Sequence, residues 1–196
     1  MMSSKTTNDT KRRQEFTDRC RYLGLKHLAE EYQQIVNKAT ERDVGYYDFI
    51  SDVVQAEAAA KRQRRIEYLI NTSRLPQPLK ILADFDFDFQ PKLSRKLIMD
   101  LASLSFIERK ESILFLGSNG VGKSHIDRSL ALMACQSGYK TYYTTCSEMI
   151  NDLNAGVYEK TLDKRMRKYI NPQLLLIDEM GHDRLYPNNN KIQTFL

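Results

Sequence analysis

Helical spacing of apolar residues dominates the first part of the chain. The first such group recurs at intervals of three and four: Leu25, Leu28, Tyr32 and Ile35. This spacing predicts an amphipathic helix. A second helical stretch begins near Tyr46, continues through an alanine-rich run, and stops before Pro76, since proline cannot continue a helix. We therefore expect a flexible basic tail over residues 1–18 and a helical N-terminal domain over residues 19–75.

Residues 76–110 have a different pattern and are expected to form a linker followed by a lead-in helix. Acidic and aromatic residues alternate from Asp84 to Phe89. A period of two would place the three phenylalanines on one face of an extended segment. We interpret this segment as a linker held on a neighbouring domain by three aromatic anchors, with ligand contact as the alternative. Leucines at helical spacing between Lys92 and Ile107 predict the lead-in helix.

From residue 111 the pattern alternates between strands and helices. Strands are predicted at residues 113–116, 139–144 and 174–177. Helical runs follow the first two strands, and Thr145 with Glu148 forms a capping-box pattern at the start of one of them. This alternation is typical of an α/β domain with a largely parallel sheet.

The first predicted strand leads directly into a phosphate-binding pattern, G-x-x-x-x-G-K-[ST]. Its eight residues are Gly117, Ser118, Asn119, Gly120, Val121, Gly122, Lys123 and Ser124. The glycines allow backbone N–H groups to cradle a triphosphate at the positive end of the following helix. Lys123 would reach the β- and γ-phosphates, and the Ser124 hydroxyl would hold Mg²⁺. The pattern predicts a nucleoside triphosphate site.

An acidic pair follows the last predicted strand. Asp178 lies 55 residues after Lys123, and Glu179 comes next. Asp178 would contact Mg²⁺ directly or through water, while Glu179 would orient and polarise the attacking water. The alternative is a strand that simply ends in solvated acids. With the phosphate-binding pattern upstream, we predict ATP hydrolysis, with Lys123 and Glu179 as catalytic residues.

A net charge of +5 and two basic clusters indicate affinity for a polyanion. The clusters are Lys61, Arg62, Arg64 and Arg65, and then Lys164, Arg165, Arg167 and Lys168. Either cluster could neutralise DNA phosphates, and a solvated helix face is the alternative. Nothing in the pattern reads bases, so we expect any DNA binding to be backbone-directed and salt-sensitive.

Several classes of protein are not indicated by the composition. No apolar window reaches the length of a membrane span, and the polar, basic N-terminus is not a secretory signal. The three widely spaced cysteines are Cys20, Cys135 and Cys146. They fit free thiols in a reducing cytoplasm better than a disulfide framework or a zinc site. We expect a cytoplasmic location.

The collected segments resemble the IstB-like ATPases, helper proteins of insertion-sequence transposons that are related to DnaC-type helicase loaders within the AAA+ class. The similar segments are LGLKHLAEEY, EAAAKRQRR, FDFDFQPKLSRKLIMDLASLSFIERKESILFLG, SGYKTYY and LLLIDEMGHDRL, together with the phosphate-binding pattern. The resemblance implies ATP and Mg²⁺ as cofactors, with double-stranded DNA and the transposase of the same element as partners. It also implies a homo-oligomer when the chain is full length. The family's ATP positions correspond to Gly117, Gly120, Gly122, Lys123 and Ser124, and its Mg²⁺ and water positions to Asp178 and Glu179.

The chain departs from the family pattern near its C-terminus. Family members continue well past the acidic pair, whereas this sequence ends at Leu196 without a sensor-1 polar residue or a later arginine. In the AAA+ strand order, 5-1-4-3-2, the sensor-1 strand lies between the strand before the phosphate loop and the strand before Asp178. We therefore expect an AAA+-type parallel sheet that is incomplete at the C-terminus, within a partial ATP-binding domain over residues 111–196. Asp127 and Arg128 also occupy positions where small or apolar residues are more usual.

Three hypotheses remain open from the sequence. The first is a shortened ATP-dependent helper that assembles on DNA and presents target DNA to a transposase. The second is a helicase loader that uses ATP as a switch. The third is a remnant that does not hydrolyse ATP.

Overall fold

The computed structural model describes residues 3–89 and 93–180, and it divides the chain into two compact units at Arg65 and Ile66. The predicted domain limits at residues 18, 75 and 110 remain predictions. Within the described ranges, no helix has the length and apolar character needed to cross a membrane.

The first unit consists of helices. They are α1 (Ser3–Tyr22), α2 (Lys26–Arg42) and the first part of α3 (Tyr46–Thr72). The predictions for α2 and α3 are confirmed. At α1 the structure differs from the expected flexible tail, because residues 3–22 are helical. This segment has no glycine or proline, and its Phe16 ring meets the Tyr32 ring edge-on, with centroids 5.1 Å apart.

A buried carboxylate stabilises the start of α2. Glu57 accepts a hydrogen bond from the Leu28 N–H at 2.8 Å, which satisfies one first-turn N–H group that the helix itself leaves unpaired. The Arg64 guanidinium pairs with the same carboxylate at 2.9 Å. Burial alone would raise the pKa of Glu57, but these two donors lower it below its ordinary value. Arg64 therefore has a structural role within this unit.

Helix α6 (Lys123–Gln136) organises the second unit. The other elements after α3 are a 3-10 helix (Leu82–Asp84), α4 (Arg95–Ala102), α5 (Ser105–Glu108), β1 (Thr141–Thr145), α7 (Cys146–Tyr158), α8 (Leu162–Ile170) and β2 (Leu174–Asp178). The single helical pattern predicted over residues 92–107 is split in two, because Leu104 adopts a left-handed conformation with φ of 60°.

Three apolar clusters surround α6. Ala131 and Cys135 pack with Leu69 near the end of α3, Ile126 packs with Ile98 of α4, and Ala134 packs with Phe106 of α5. These α6 residues are almost completely buried. The helix is thereby fixed on several sides, so the loop that precedes it has a rigid support.

The sheet contains two parallel strands among the described residues. β1 pairs with β2 in a register that runs from Thr141 opposite Leu174 to Thr145 opposite Asp178. Asp178 therefore lies at the carboxyl end of β2, the edge at which parallel α/β sheets bind ligands. Thr145 accepts a hydrogen bond from the Glu148 N–H at 3.2 Å, which confirms the predicted cap of α7.

The strand predicted at residues 113–116 is not formed, and this prediction is wrong. The side chains alternate as in a strand: Ile113 and Phe115 join apolar clusters, whereas Leu114 and Leu116 are 66% and 76% exposed. The segment nevertheless pairs with neither β1 nor β2. A strand requires a neighbour for its backbone N–H and C=O groups, and no described segment supplies one.

The acidic-aromatic segment is also not extended as predicted. It begins in the 3-10 helix and then turns, because the Asp86 carboxylate accepts hydrogen bonds from the N–H groups of Asp88 and Phe89. Phe85 and Phe87 pack against the cluster around Ile126, while Phe89 is 68% exposed. Two of the three expected aromatic anchors are therefore present.

Candidate functional site

The loop at residues 117–124 has the geometry of an anion cradle. Gly120 and Gly122 have φ of 81° and 91°, in the left-handed region that favours glycine, and Gly122 caps the N-terminus of α6. Within the described residues, the N–H groups of residues 119–124 donate no backbone hydrogen bond to the protein. Free N–H groups at a helix N-terminus attract phosphate.

Phe85 supports this loop from the linker. A Cβ atom added to Gly122 would lie 2.5 Å from Cε2 of Phe85, so the ring lies directly against the glycine. The Phe85 ring also meets the His125 ring at 5.4 Å, and Nε2 of His125 lies 2.9 Å from the Ile81 carbonyl oxygen. The aromatic alternation indicated an anchor, but nothing in the sequence indicated that the anchor contacts the phosphate loop.

Lys123 lies over the start of the loop. Its Nζ donates hydrogen bonds to the carbonyl oxygens of Gly117 at 2.7 Å and Ser118 at 2.8 Å. The ammonium group therefore stands beside the same loop whose N–H groups form the cradle. Its phosphate-binding role remains a prediction.

The structure brings together the two residues predicted to hold Mg²⁺. Oγ of Ser124 donates to Oδ1 of Asp178 at 3.1 Å, although the residues are 54 positions apart. A hydroxyl and a carboxylate are oxygen ligands of the kind that Mg²⁺ prefers, so the residues fit this ion. Glu179 is exposed beside them, and its N–H donates to Oδ1 of Asp178 at 2.9 Å.

Two further residues contact Asp178 that the sequence did not assign to the site. Nη2 of Arg128 donates to Oδ2 of Asp178 at 2.7 Å, and the Tyr143 hydroxyl lies 3.3 Å from the same oxygen. Burial alone would raise the pKa of Asp178, but Arg128, the Glu179 N–H and Ser124 lower it below its ordinary value. The unusual arginine in α6 was visible in the sequence, but its partner 50 residues away was not.

The ionised form of the Asp127 carboxyl group is poorly stabilised by its surroundings. Its Oδ1 is buried and accepts no hydrogen bond from the described residues. Burial, together with repulsion from Asp178, raises the pKa of Asp127 from 3.8 to about 7. Ionisation of this group opposes folding.

We expect Asp127→Asn to remove a pH-dependent loss of stability. The pKa of Asp127 is higher in the folded chain than in the unfolded chain. Asp127 therefore destabilises the folded chain most above pH 7, where its carboxylate is ionised in both states. The gain in the free energy of unfolding should therefore be small at pH 4, grow between pH 4 and 7, and level off above pH 7 at a few kcal/mol, at most about 4. Urea unfolding in EDTA between pH 4 and 8 measures it. Asp163→Asn, at an exposed position, is the control. If Asp127→Asn raised the free energy of unfolding equally at pH 4 and pH 8, the prediction would be contradicted.

The eight predicted DNA contacts differ in their surroundings. Lys61 and Arg62 are exposed, as is Arg65, whereas Arg64 pairs with Glu57. In the second cluster, Arg165 pairs with Asp152 and Glu159, and Lys168 pairs with Asp152 at 3.0 Å. Hydrogen bonds from the Tyr169 hydroxyl, Lys168 and Arg165 lower the pKa of Asp152 to about 2.

Lys164 and Arg167 have a different environment from the paired residues of their cluster. Both are exposed on α8, and neither forms an ion pair within the described part of the chain. They are therefore the residues of the second cluster whose charges are available to an external anion.

Comparison with known proteins identifies the family. The IstB-like ATP binding protein family matches residues 19–193. A relative from Geobacillus stearothermophilus, named as an ATP-binding protein of insertion sequence IS5376, is 39% identical over 170 residues, covering 87% of this chain and 67% of the relative. A relative from Bacillus thuringiensis subsp. berliner, named for IS232, is 30% identical and covers 91% of this chain and 71% of the relative.

A third relative, from Pseudomonas aeruginosa and named for IS21, is 31% identical over 82% of this chain and 60% of its own length. The chain thus spans between 60% and 71% of these three relatives. The predicted fold class, an incomplete α/β P-loop domain preceded by helices, is confirmed. The match over most of its length shows that the chain belongs to the family of IstB-like ATP-binding proteins.

Proposed function

We propose that this chain binds ATP with Mg²⁺ and acts as an ATP-dependent helper in DNA transposition. The observation that carries the proposal is the contact between Ser124 and Asp178 beside the N-terminus of α6. It joins the phosphate loop to the carboxyl end of β2, as a nucleotide site requires. Family membership supports ATP as the nucleotide.

Each residue of the site has a role in this proposal. The N–H groups of residues 119–124 bind phosphate oxygens, and the Lys123 ammonium turns from its loop carbonyls toward the β- and γ-phosphates. Ser124 and Asp178 hold Mg²⁺, which supplies positive charge against the phosphates. Glu179 is exposed beside Asp178, and its carboxylate accepts a proton from the attacking water.

The names of the relatives favour transposition over helicase loading. Each of the three is named for an insertion sequence. We propose the transposase of the same element and double-stranded DNA as partners, with self-association of the full-length protein in the cytoplasm. Co-purification with the transposase of the same element would support this choice, whereas co-purification with a replicative helicase instead would reverse it.

The unpaired segment at residues 113–116 supports a second candidate, a form that binds ATP but does not hydrolyse it. The phosphate loop follows a segment without ladder hydrogen bonds, so the loop has less backbone support on that side. Steady-state release of phosphate, measured with and without DNA, separates the two candidates. Turnover that is lost in Glu179→Gln would exclude the second candidate, while nucleotide binding without turnover would exclude hydrolysis by this chain.

We expect Lys164→Gln/Arg167→Gln to weaken DNA binding by the same factor for every DNA sequence. If both residues contact phosphates, the slope of log K against log salt should become less steep by about 2. Fluorescence anisotropy with a labelled duplex at several salt concentrations measures the slope. The control, Lys96→Gln/Lys140→Gln, also removes two positive charges, from exposed positions of the same unit. Equal slopes for the two double variants would contradict a specific role of α8.

A further inference from the structure

The Asp178 carboxylate is unusually well supplied with donors. Oδ1 accepts hydrogen bonds from Ser124 Oγ at 3.1 Å and the Glu179 N–H at 2.9 Å. Oδ2 accepts from Arg128 Nη2 at 2.7 Å and the Tyr143 hydroxyl at 3.3 Å. A carboxylate offers about four lone-pair sites. The protein therefore fills all of them itself.

The two oxygens of Asp178 face different surroundings. Oδ1 lies at the phosphate loop, beside Ser124. Oδ2 lies toward the interior, where the Arg128 guanidinium also stands over the Tyr143 ring at 5.4 Å and donates to the Tyr143 hydroxyl at 3.2 Å. The side chains of Arg128 and Asp178 are only 23% and 9% exposed. This ion pair is therefore weakly screened by solvent, and each charge strongly offsets the other.

We propose that Arg128 is a positioning residue that fixes Asp178 through Oδ2 and neutralises its charge, so that a divalent cation is held only together with triphosphate oxygens. This inference rests on the proposed function. The Ser124 hydroxyl can rotate away from Oδ1, which frees one lone pair at the loop while Arg128 keeps Oδ2. Ser124 and Asp178 then offer a cation one hydroxyl and one compensated carboxylate oxygen. Since cation affinity follows the charge of the ligands, the remaining negative charge has to come from the nucleotide.

Titration with Mn²⁺, followed by the EPR signal of the free ion, tests this role without any turnover. The nucleotide-free wild-type chain should bind Mn²⁺ only in the millimolar range, and a nonhydrolysable ATP analogue should restore tight binding. Arg128→Gln should increase the affinity of the nucleotide-free chain for Mn²⁺ by roughly tenfold or more, because a neighbouring positive charge is removed. Arg128→Lys should behave like the wild type, since it keeps the charge.

Two control variants connect the effect to Asp178. Arg109→Gln removes an exposed arginine that pairs with Glu111 and should leave Mn²⁺ affinity unchanged. Asp178→Asn/Arg128→Gln should lose the gain seen in Arg128→Gln, because the carboxylate charge is gone. A gain that persists in this double variant would overturn the inference.

The remaining outcomes distinguish this inference from the proposed function. Unchanged Mn²⁺ affinity in a folded Arg128→Gln chain that still binds the ATP analogue would overturn the inference alone. A folded wild-type chain that does not bind the analogue would overturn the proposed function and the inference with it. If Arg128→Gln does not fold, micromolar binding of Mn²⁺ by the nucleotide-free wild type, or by Arg128→Lys, would still overturn the inference.

Discussion

Replacing Lys123 with alanine is expected to weaken ATP binding by roughly a hundredfold, because a charged hydrogen-bond donor to the phosphates contributes about 3 kcal/mol. Among the residues that the structure describes, Lys123 Nζ bonds only to the carbonyl oxygens of Gly117 and Ser118, two exposed residues. Its loss should therefore leave the fold intact. Equilibrium binding of a fluorescent ATP analogue measures the change, and urea unfolding verifies that stability is preserved.

Lys110→Ala is a suitable control for this variant. Lys110 is exposed in the same unit and lies outside the phosphate loop. The control should bind ATP as the wild type does, and it should show the same dependence on Mg²⁺. If Lys123→Ala and Lys110→Ala bound ATP equally well, the assignment of the phosphate loop would be wrong.

The second large effect is expected on stability. Asp178→Ala should lower the free energy of unfolding by about 3 kcal/mol, because it leaves the guanidinium of Arg128 without its carboxylate in a largely buried position. The Tyr143 hydroxyl and the Ser124 hydroxyl lose an acceptor at the same time. Urea unfolding of the nucleotide-free chain measures the loss, so that ligand effects do not contribute.

A double variant isolates the ion pair from the other contacts. Asp178→Ala/Arg128→Met should be more stable than Asp178→Ala alone, because the unpaired charge is removed together with its partner. Asp100→Ala, at an exposed position of α4, should change stability by no more than about 0.5 kcal/mol. The ion pair would have no structural role if Asp178→Ala were as mild as Asp100→Ala.

Features set by neighbouring residues could be predicted from the sequence. The phosphate loop is one, because the positive φ of Gly120 and Gly122 and the start of α6 follow from eight consecutive residues. The cap of α7 at Thr145 is another. The contact between Ser124 and Asp178 was also predictable, because the phosphate-binding pattern and the acidic pair assign both residues to the same Mg²⁺.

Features that depend on distant partners could not be predicted in the same way. Packed and exposed side chains alternate along residues 113–116 as they do in a strand. A strand forms, however, only where another backbone completes its hydrogen bonds. The conformation of the acidic-aromatic segment depends on Asp86 bonding to the next backbone N–H groups rather than on the period of its side chains. The pairing of Arg128 with Asp178 joins two elements whose spacing carries no recognisable pattern.

Binding of the ATP triphosphate by the loop at residues 117–124 can be tested by isothermal titration calorimetry of the purified chain. Titrations with ATP, AMP and adenosine in the presence of Mg²⁺ compare ligands that share a base and differ in their phosphates. We expect saturable binding of ATP that is at least about a hundredfold tighter than that of AMP, with the difference largely removed in Lys123→Ala. Equal affinity for ATP and adenosine, or no binding of ATP by the folded chain, would contradict this expectation.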